Sequence, residues 1–190
     1  MRLILVDMNA ELVKEWISYF GDVENVTIIE SDVIPIIEKY PEAYIVSPAN
    51  SFGDMQGGID LVYYTHFGYQ LEEKLQEKII AEKYGELIVG DFLVLDRFIF
   101  APTMRVPMNI SHTVNVYLAF RAVLIASLEN NIDTIICPGL GTGIGRVSPN
   151  MCAKQMYNAY TAITSPRNHY DLIQMSKEYS EMLKKNDEEF

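Results

Sequence analysis

The chain has 190 residues, 49% of them hydrophobic and 22% charged, with a net charge of −11 at pH 7. That length suits one domain with a sizeable core, and the composition is that of a globular protein rather than a disordered one. The acid excess disfavours nucleic acid and anionic membrane as partners, and any phosphate site must work through local backbone dipoles instead of a basic patch.

Residues 3–7 predict a strand, and 11–20 a helix with Asn9 as N-cap and Gly21 closing it. A second strand is expected over 26–30, then a short helix over 32–40 capped by Ser31 or Asp32, with Pro35 in its first turns. Residues 43–47 are a third expected strand. Residues 59–84 predict one or two helices interrupted near Gly68, and the second half, 70–83, places Leu71, Leu75 and Ile79 on one face. Two strands, 87–95 and 98–102, are expected to join through a turn at Asp96-Arg97. A long helix over 113–129 and a buried strand over 134–137 follow. Ser148 and Pro149 then read as the N-cap and first residue of a helix reaching about Thr164. The tail, 170–190, is helix-prone, and 184–190 are charged enough to predict fraying or disorder.

This alternation predicts a single three-layer α/β/α domain with a mixed, largely parallel central sheet. No repeat, linker or low-complexity segment divides it. The opening apolar run is too short for a signal-peptide core, and no apolar stretch approaches a membrane span, so a soluble, cytoplasmic protein is expected. Cys137 and Cys152 fit no disulfide or zinc spacing and read as small buried hydrophobes.

Two glycine-rich segments stand out. One runs Ser47-Pro48-Ala49-Asn50 through Gln56-Gly57-Gly58-Ile59-Asp60, and the other Cys137-Pro138-Gly139-Leu140-Gly141-Thr142-Gly143-Ile144-Gly145. Each follows an expected strand and leads towards a helix, where bare backbone N–H groups and a helix N-terminus bind phosphate without a lysine. In open α/β sheets ligands sit at such strand ends. Neither segment has the lysine of a P-loop, and the alternating glycines 139, 141, 143 and 145 fail the dinucleotide fingerprint in both registers.

Together and in this order, the two segments resemble those of the macro domain, the family that binds ADP-ribose and its derivatives. Ser47-Pro48-Ala49-Asn50 stands where the family carries Asn-Ala-Ala-Asn, Gln56-Gly57-Gly58-Ile59 where it carries Gly-Gly-Gly-Val, and Gly141 to Arg146 where it carries Ser-Thr-Gly-Ile-Phe-Gly. Ser31-Asp32-Val33 matches its Gly-Asp-Ile segment. The resemblance spans about residues 3–164 and implies an ADP-ribose-binding domain over 1–169, with 170–190 as a helical tail. It implies that Asp32 accepts from the adenine amino group and that Val33 offers a neighbouring N–H. It implies that Asn50 holds the distal ribose, that Gly57, Gly58 and Ile59 line that ribose and the diphosphate, and that Gly141, Thr142, Gly143, Ile144 and Gly145 wrap the diphosphate. Gly145 replaces an aromatic residue, which implies a more open distal end. No cofactor or metal is implied.

In the hydrolytic branch an aspartate at the place of Asp60 activates water at the anomeric carbon of the distal ribose, so Asn50 and Asp60 are the expected catalytic pair. Asp60 is equally suited to a helix N-terminus. The expected activity is ADP-ribosyl hydrolysis. The alternatives are a non-catalytic ADP-ribose binder or sink, and an ADP-ribose 1″-phosphate phosphatase using His66. His66 lies six residues beyond Asp60 and about 120° around a helix, which favours a surface role. Arg105 is read evenly as a phosphate contact or a surface ion pair, and His112 and His169 carry no assigned role.

Overall fold

The computed structural model describes residues 1–165 together with 173, 174, 176–178, 180, 181 and 184. Its elements are β1 (Arg2–Asp7), α1 (Ala10–Phe20), β2 (Val26–Glu30), α2 (Val33–Lys39), β3 (Tyr44–Ser47), α3 (Gly58–Phe67), α4 (Gln70–Lys83), β4 (Leu93–Leu95), β5 (Phe98–Phe100), α5 (Asn115–Glu129), β6 (Thr134–Cys137) and α6 (Pro149–Thr164). The strands form one sheet in the order β2-β1-β6-β3-β5-β4. Every pairing is parallel except β4 with β5.

Strand alternation divides the core into two layers. Leu3, Leu5, Ile135 and Cys137 pack with α1, α5 and α6, and Ile4, Val6, Ile45 and Ile136 with α2, α3 and α4. With both faces covered, the central strands read as unbroken apolar runs, as parallel strands must. The three-layer α/β/α architecture is the one predicted.

The caps are local. Asn9 Oδ1 accepts from Glu11 N and Leu12 N, Asp32 Oδ1 from Ile34 N, and Ser148 Oγ from Met151 N. Gly21 closes α1 in a right-handed conformation, its N–H donating to Ile17 O, rather than in the left-handed one common at helix ends. Gly68 divides the expected 59–84 helix into α3 and α4.

The predicted strand over 87–95 is a correction. Only Leu93–Leu95 pairs in the sheet, because Gly90 turns the chain at φ +96° and Asp91 is held by Lys83 at 2.6 Å. Asp91 N also donates back to Ile88 O, leaving Val89 and Asp91 an isolated bridge. The partner strand stops at Phe100 rather than 102, and the long helix starts at Asn115 rather than 113. Pro102 has no N–H to extend a ladder, and the Thr113 hydroxyl accepts from Asn115 N ahead of the helix.

Described residues between 173 and 184 are helical. Expectations for the rest of the tail, 185–190 included, and His169, lie outside the described residues. Among the described residues no helix is long and apolar enough to cross a membrane.

Candidate functional site

β6 and β3 are neighbours in the sheet, yet α6 follows β6 on one face and α3 follows β3 on the other. Their loops part at the carboxyl ends of the strands and open a crevice. The crevice is a cavity of about 530 Å³, within the range of small-molecule sites.

Four segments wall it. The end of β1 gives Asp7 and Met8, and the first glycine loop gives Asn50, Asp54 and residues 56–60. The chain after β5 gives Thr103, Met104 and Pro107, and the second glycine loop gives Gly139 and residues 141–145. Of the expected site residues, Asn50, Gly57, Gly58, Ile59, Asp60, Gly141, Thr142, Gly143, Ile144 and Gly145 come together here. Asp32 and Val33 are not on this wall. Asp32 is exposed with Oδ1 on Ile34 N, and Val33 is a core residue of α2. Both stand at the same end of the sheet, where Ser31 N donates to Asp7 O at 3.1 Å.

Among the described residues no lysine, arginine or histidine lines the cavity. Most of the donors on offer are backbone N–H groups, beside polar side chains such as Asn50 and Thr142. α3 starts at Gly57 without a side-chain cap, with Gly58 at φ +58°. The N–H groups of Gly58, Ile59, Thr142, Gly143 and Ile144 donate to no other group among the described residues. Uncapped helix amides and successive loop amides facing one space make an anion-binding concavity.

The loops are held by their own side chains. Asn50 Oδ1 accepts from Phe52 N at 3.0 Å and Asp54 N at 3.3 Å, and Nδ2 donates to Asp54 O at 3.0 Å. Three of the four hydrogen-bonding positions of this amide therefore serve the loop, leaving one N–H for another partner. Gln56, where the family carries a glycine, donates to Glu72 on α4, and Met55 N donates to Glu72 Oε1 at 2.8 Å. In the second loop Gly139 N donates to Asp7 Oδ2 at 3.1 Å, and the other oxygen of Asp7 accepts from Asn9 N. Gly145 has no room for a ring: a Cβ there would collide with Gly141 O and lie 2.8 Å from Ile110 Cγ1.

Asp60 sits in the first turn of α3, 8% exposed, and its Oδ1 accepts from Ser47 Oγ at 2.5 Å. Burial pushes its carboxyl up to about 7, the Ser47 hydrogen bond pulls it down, and the Asp54 charge adds to the rise. Ser47, Thr103, Met104, Pro107 and Asp7 were not sequence candidates. The Asp7 position is the legible one, as a carboxylate at a strand end beside an N-cap.

Arg105 binds Glu86 at 2.6 Å and lies over the Phe52 ring, so of its two readings the structure has the surface ion pair. His66 is exposed on α3 with its ring against Phe67 and is not on the cavity wall. Both cysteines are buried and free, and burial pushes the Cys152 thiol up to about 12 and Cys137 well above its ordinary value. Neither has the ionised character of a nucleophile. Among the described residues no group of three or more His, Cys, Asp or Glu could hold a metal ion.

A family model described as "Macro domain" matches residues 46–156. An uncharacterised protein of Aquifex aeolicus is 34% identical over 113 residues, 59% of this chain and 68% of that protein. A second, from Aeropyrum pernix, is 31% identical over 113 residues, and the match spans 59% of its length, less than two thirds. The macrodomain of Mycobacterium tuberculosis DarG superposes with a TM-score of 0.55 at 22% identity, over 64% of this chain and 82% of that one. A structure of Thermosipho africanus DarTG in complex with ADP-ribose gives 0.58 at 15% identity, over 85% of this chain and 50% of that one. A variant of the Oceanobacillus iheyensis macrodomain with ADPR gives 0.57 at 16% identity, over 66% and 72%. At these identities the solved structures share the fold.

Proposed function

This chain belongs to the macro domain family, and from that premise we propose that it binds ADP-ribose or an ADP-ribosyl derivative and hydrolyses the bond at the distal ribose. The observation that carries the reading is the buried carboxylate of Asp60, set on the cavity wall at the start of α3 between amide-lined loops. Relatives of this fold have been seen with ADP-ribose. The binding function is assigned to residues 1–169, with 170–190 appended to it.

The diphosphate lies on the free amides of the two loops, whose fixed dipoles offset its charge without a cation. Asn50 supplies its remaining N–H to the distal ribose and holds the loop in shape. Asp60 accepts a proton from water attacking the anomeric carbon, and its negative charge steadies the positive charge that develops on the sugar. A base with its midpoint near 7 is matched to neutral working pH.

Calorimetric titration with ADP-ribose, with AMP and ADP as controls, tests the binding. Affinity that requires the distal ribose is the expected outcome; equal affinity for ADP would mean that the cavity does not read that sugar. Asp60→Ala should abolish release of ADP-ribose while leaving binding largely intact, and undiminished turnover in that variant removes the hydrolase assignment. The non-catalytic reading draws on one observation, the commitment of most of the Asn50 amide to its own loop. Binding without product over long incubation would select it. The phosphatase alternative needs His66 at the reacting group and draws no support from its position on the outer face of α3.

A further inference from the structure

The two carboxylate oxygens of Asp60 have different surroundings. Oδ1 accepts the Ser47 hydroxyl. Oδ2 has no hydrogen-bond partner among the described residues, yet it is not one of the sealed, unpartnered atoms of the interior. Asp60 lines the cavity, and Oδ2 is the oxygen that the Ser47 tie leaves free. Ser47 is itself fully buried and stands behind the cavity wall. The sheet fixes it: Ser47 pairs with Phe100 of β5, and its carbonyl accepts from Ala101 N at 3.0 Å. A carboxylate free to turn about its side-chain torsions is here tied at one oxygen to the sheet.

We propose that Ser47 is a positioning residue for hydrolysis, its hydroxyl holding Oδ1 of Asp60 so that Oδ2 is presented to the attacking water at the distal ribose. This rests on the hydrolase reading above. In the step Oδ2 takes one proton of the water as the water oxygen bonds to the anomeric carbon. The bond from that carbon to the leaving group breaks, the leaving group keeps the electron pair and it collects a proton from solvent.

The neighbours of Asp60 give Ser47 this weight. The first loop contributes Asp54, a like charge that opposes ionisation. α3 contributes Tyr63, whose hydroxyl donates to Val46 O and not to Asp60. Around Tyr63 stand Cys137 of β6, Asp32 before α2 and Asp7 of β1, none of them a cation. Among these side chains the Ser47 hydroxyl is the one that favours charged Asp60 against burial and Asp54, adding to the start of α3.

The test is the ionisation of Asp60 followed through its carboxyl carbon by NMR in the full chain, the resonance identified by its loss in Asp60→Asn. In Ser47→Ala the midpoint should rise by about one pH unit, because a donor to the charged form is gone. Ser47→Cys, which keeps the shape but donates weakly, should fall between. The acidic limb of the pH–rate profile, where Asp60 must lose its proton to act as base, should move up by the same amount, making turnover at pH 7 about fivefold slower at unchanged KM. An unmoved Asp60 midpoint in Ser47→Ala overturns the proposal whether or not the chain turns over. A midpoint raised in Ser47→Ala, beside a wild-type protein that releases no ADP-ribose, removes the hydrolase reading instead.

Discussion

Ile144 stands over Gly57: a Cβ built on Gly57 would lie 3.0 Å from Ile144 Cδ1. The two glycine loops, far apart in the chain, thus meet across the cavity through one flexible side chain and one absent one. Gly57 has an extended backbone, φ −150°, so only space restricts what stands there. Gly57→Ala should leave ADP-ribose affinity within a few-fold, since the tip of Ile144 can shift. Gly57→Val should weaken it by roughly tenfold or more, about 1.4 kcal/mol, with little change in melting temperature. Adding Ile144→Ala should recover part of the loss. Calorimetry on the wild type and these three variants checks this, and full affinity in Gly57→Val would show that the ligand does not pass between the loops.

The second loop is tied to the first strand through Asp7 and Gly139. A Cβ on Gly139 would stand 2.5 Å from Leu12 Cδ2 and 2.6 Å from Asp7 Oδ2, so the backbone must pass close to both. Gly139→Ala should destabilise the fold by about 1–3 kcal/mol through overpacking. Asp7→Ala frees the N–H groups of Gly139 and Asn9, and should cost about as much while also loosening the second glycine loop. Thermal unfolding and ADP-ribose titration should therefore fall together in both variants. An Asp7→Ala protein with wild-type affinity would mean that the loop holds its shape without the tether.

Local patterns were the legible part of this chain. The strand runs, the Asn9 and Ser148 caps, the break at Gly68 and the glycine loops all declare themselves within a few residues. What the sequence hid is relations across distance. Ser47 meets Asp60 because β3 and the start of α3 converge behind the cavity, and nothing in a lone buried serine announces it. Thr103, Met104 and Pro107 reach the wall because the chain after β5 pairs back on the first loop at Asn50 and Met104. Gly145 looked like an opening, but the space of a ring there is taken by Ile110 and the loop's own backbone. The strand expected over 87–95 formed only at Leu93–Leu95 because an apolar run does not reveal that Gly90 turns the chain.

A cavity with no cation among its described lining residues should bind an anionic ligand in a recognisable way. With backbone dipoles as the donors and a net charge of −11 around them, salt has little attraction to screen and some repulsion to relieve. ADP-ribose affinity should stay flat or tighten slightly between about 50 and about 300 mM salt, a range over which the screening length shortens from beyond 10 Å to less. Titrations at three salt concentrations suffice. A steep loss of affinity with salt would reveal a lysine or arginine reaching the ligand from outside the wall.

The buried carboxyl of Asp60 should also be felt in stability. Its midpoint of about 7 in the folded chain lies above the ordinary value near 3.9 that it takes when unfolded. Between those values the native state holds a proton that the unfolded state has released. Stability must therefore fall as pH rises from about 4 to about 7, and level off above. Asp60→Asn keeps an oxygen for the Ser47 hydroxyl and never has to ionise. It should be the more stable protein at pH 8, by at most about 4 kcal/mol, with the advantage shrinking as pH falls towards 4. Denaturant unfolding of both proteins across that range measures it. A wild-type protein as stable as Asp60→Asn at pH 8 would mean that Asp60 ionises at no cost, and that it lies in a far wetter place than its 8% exposure describes.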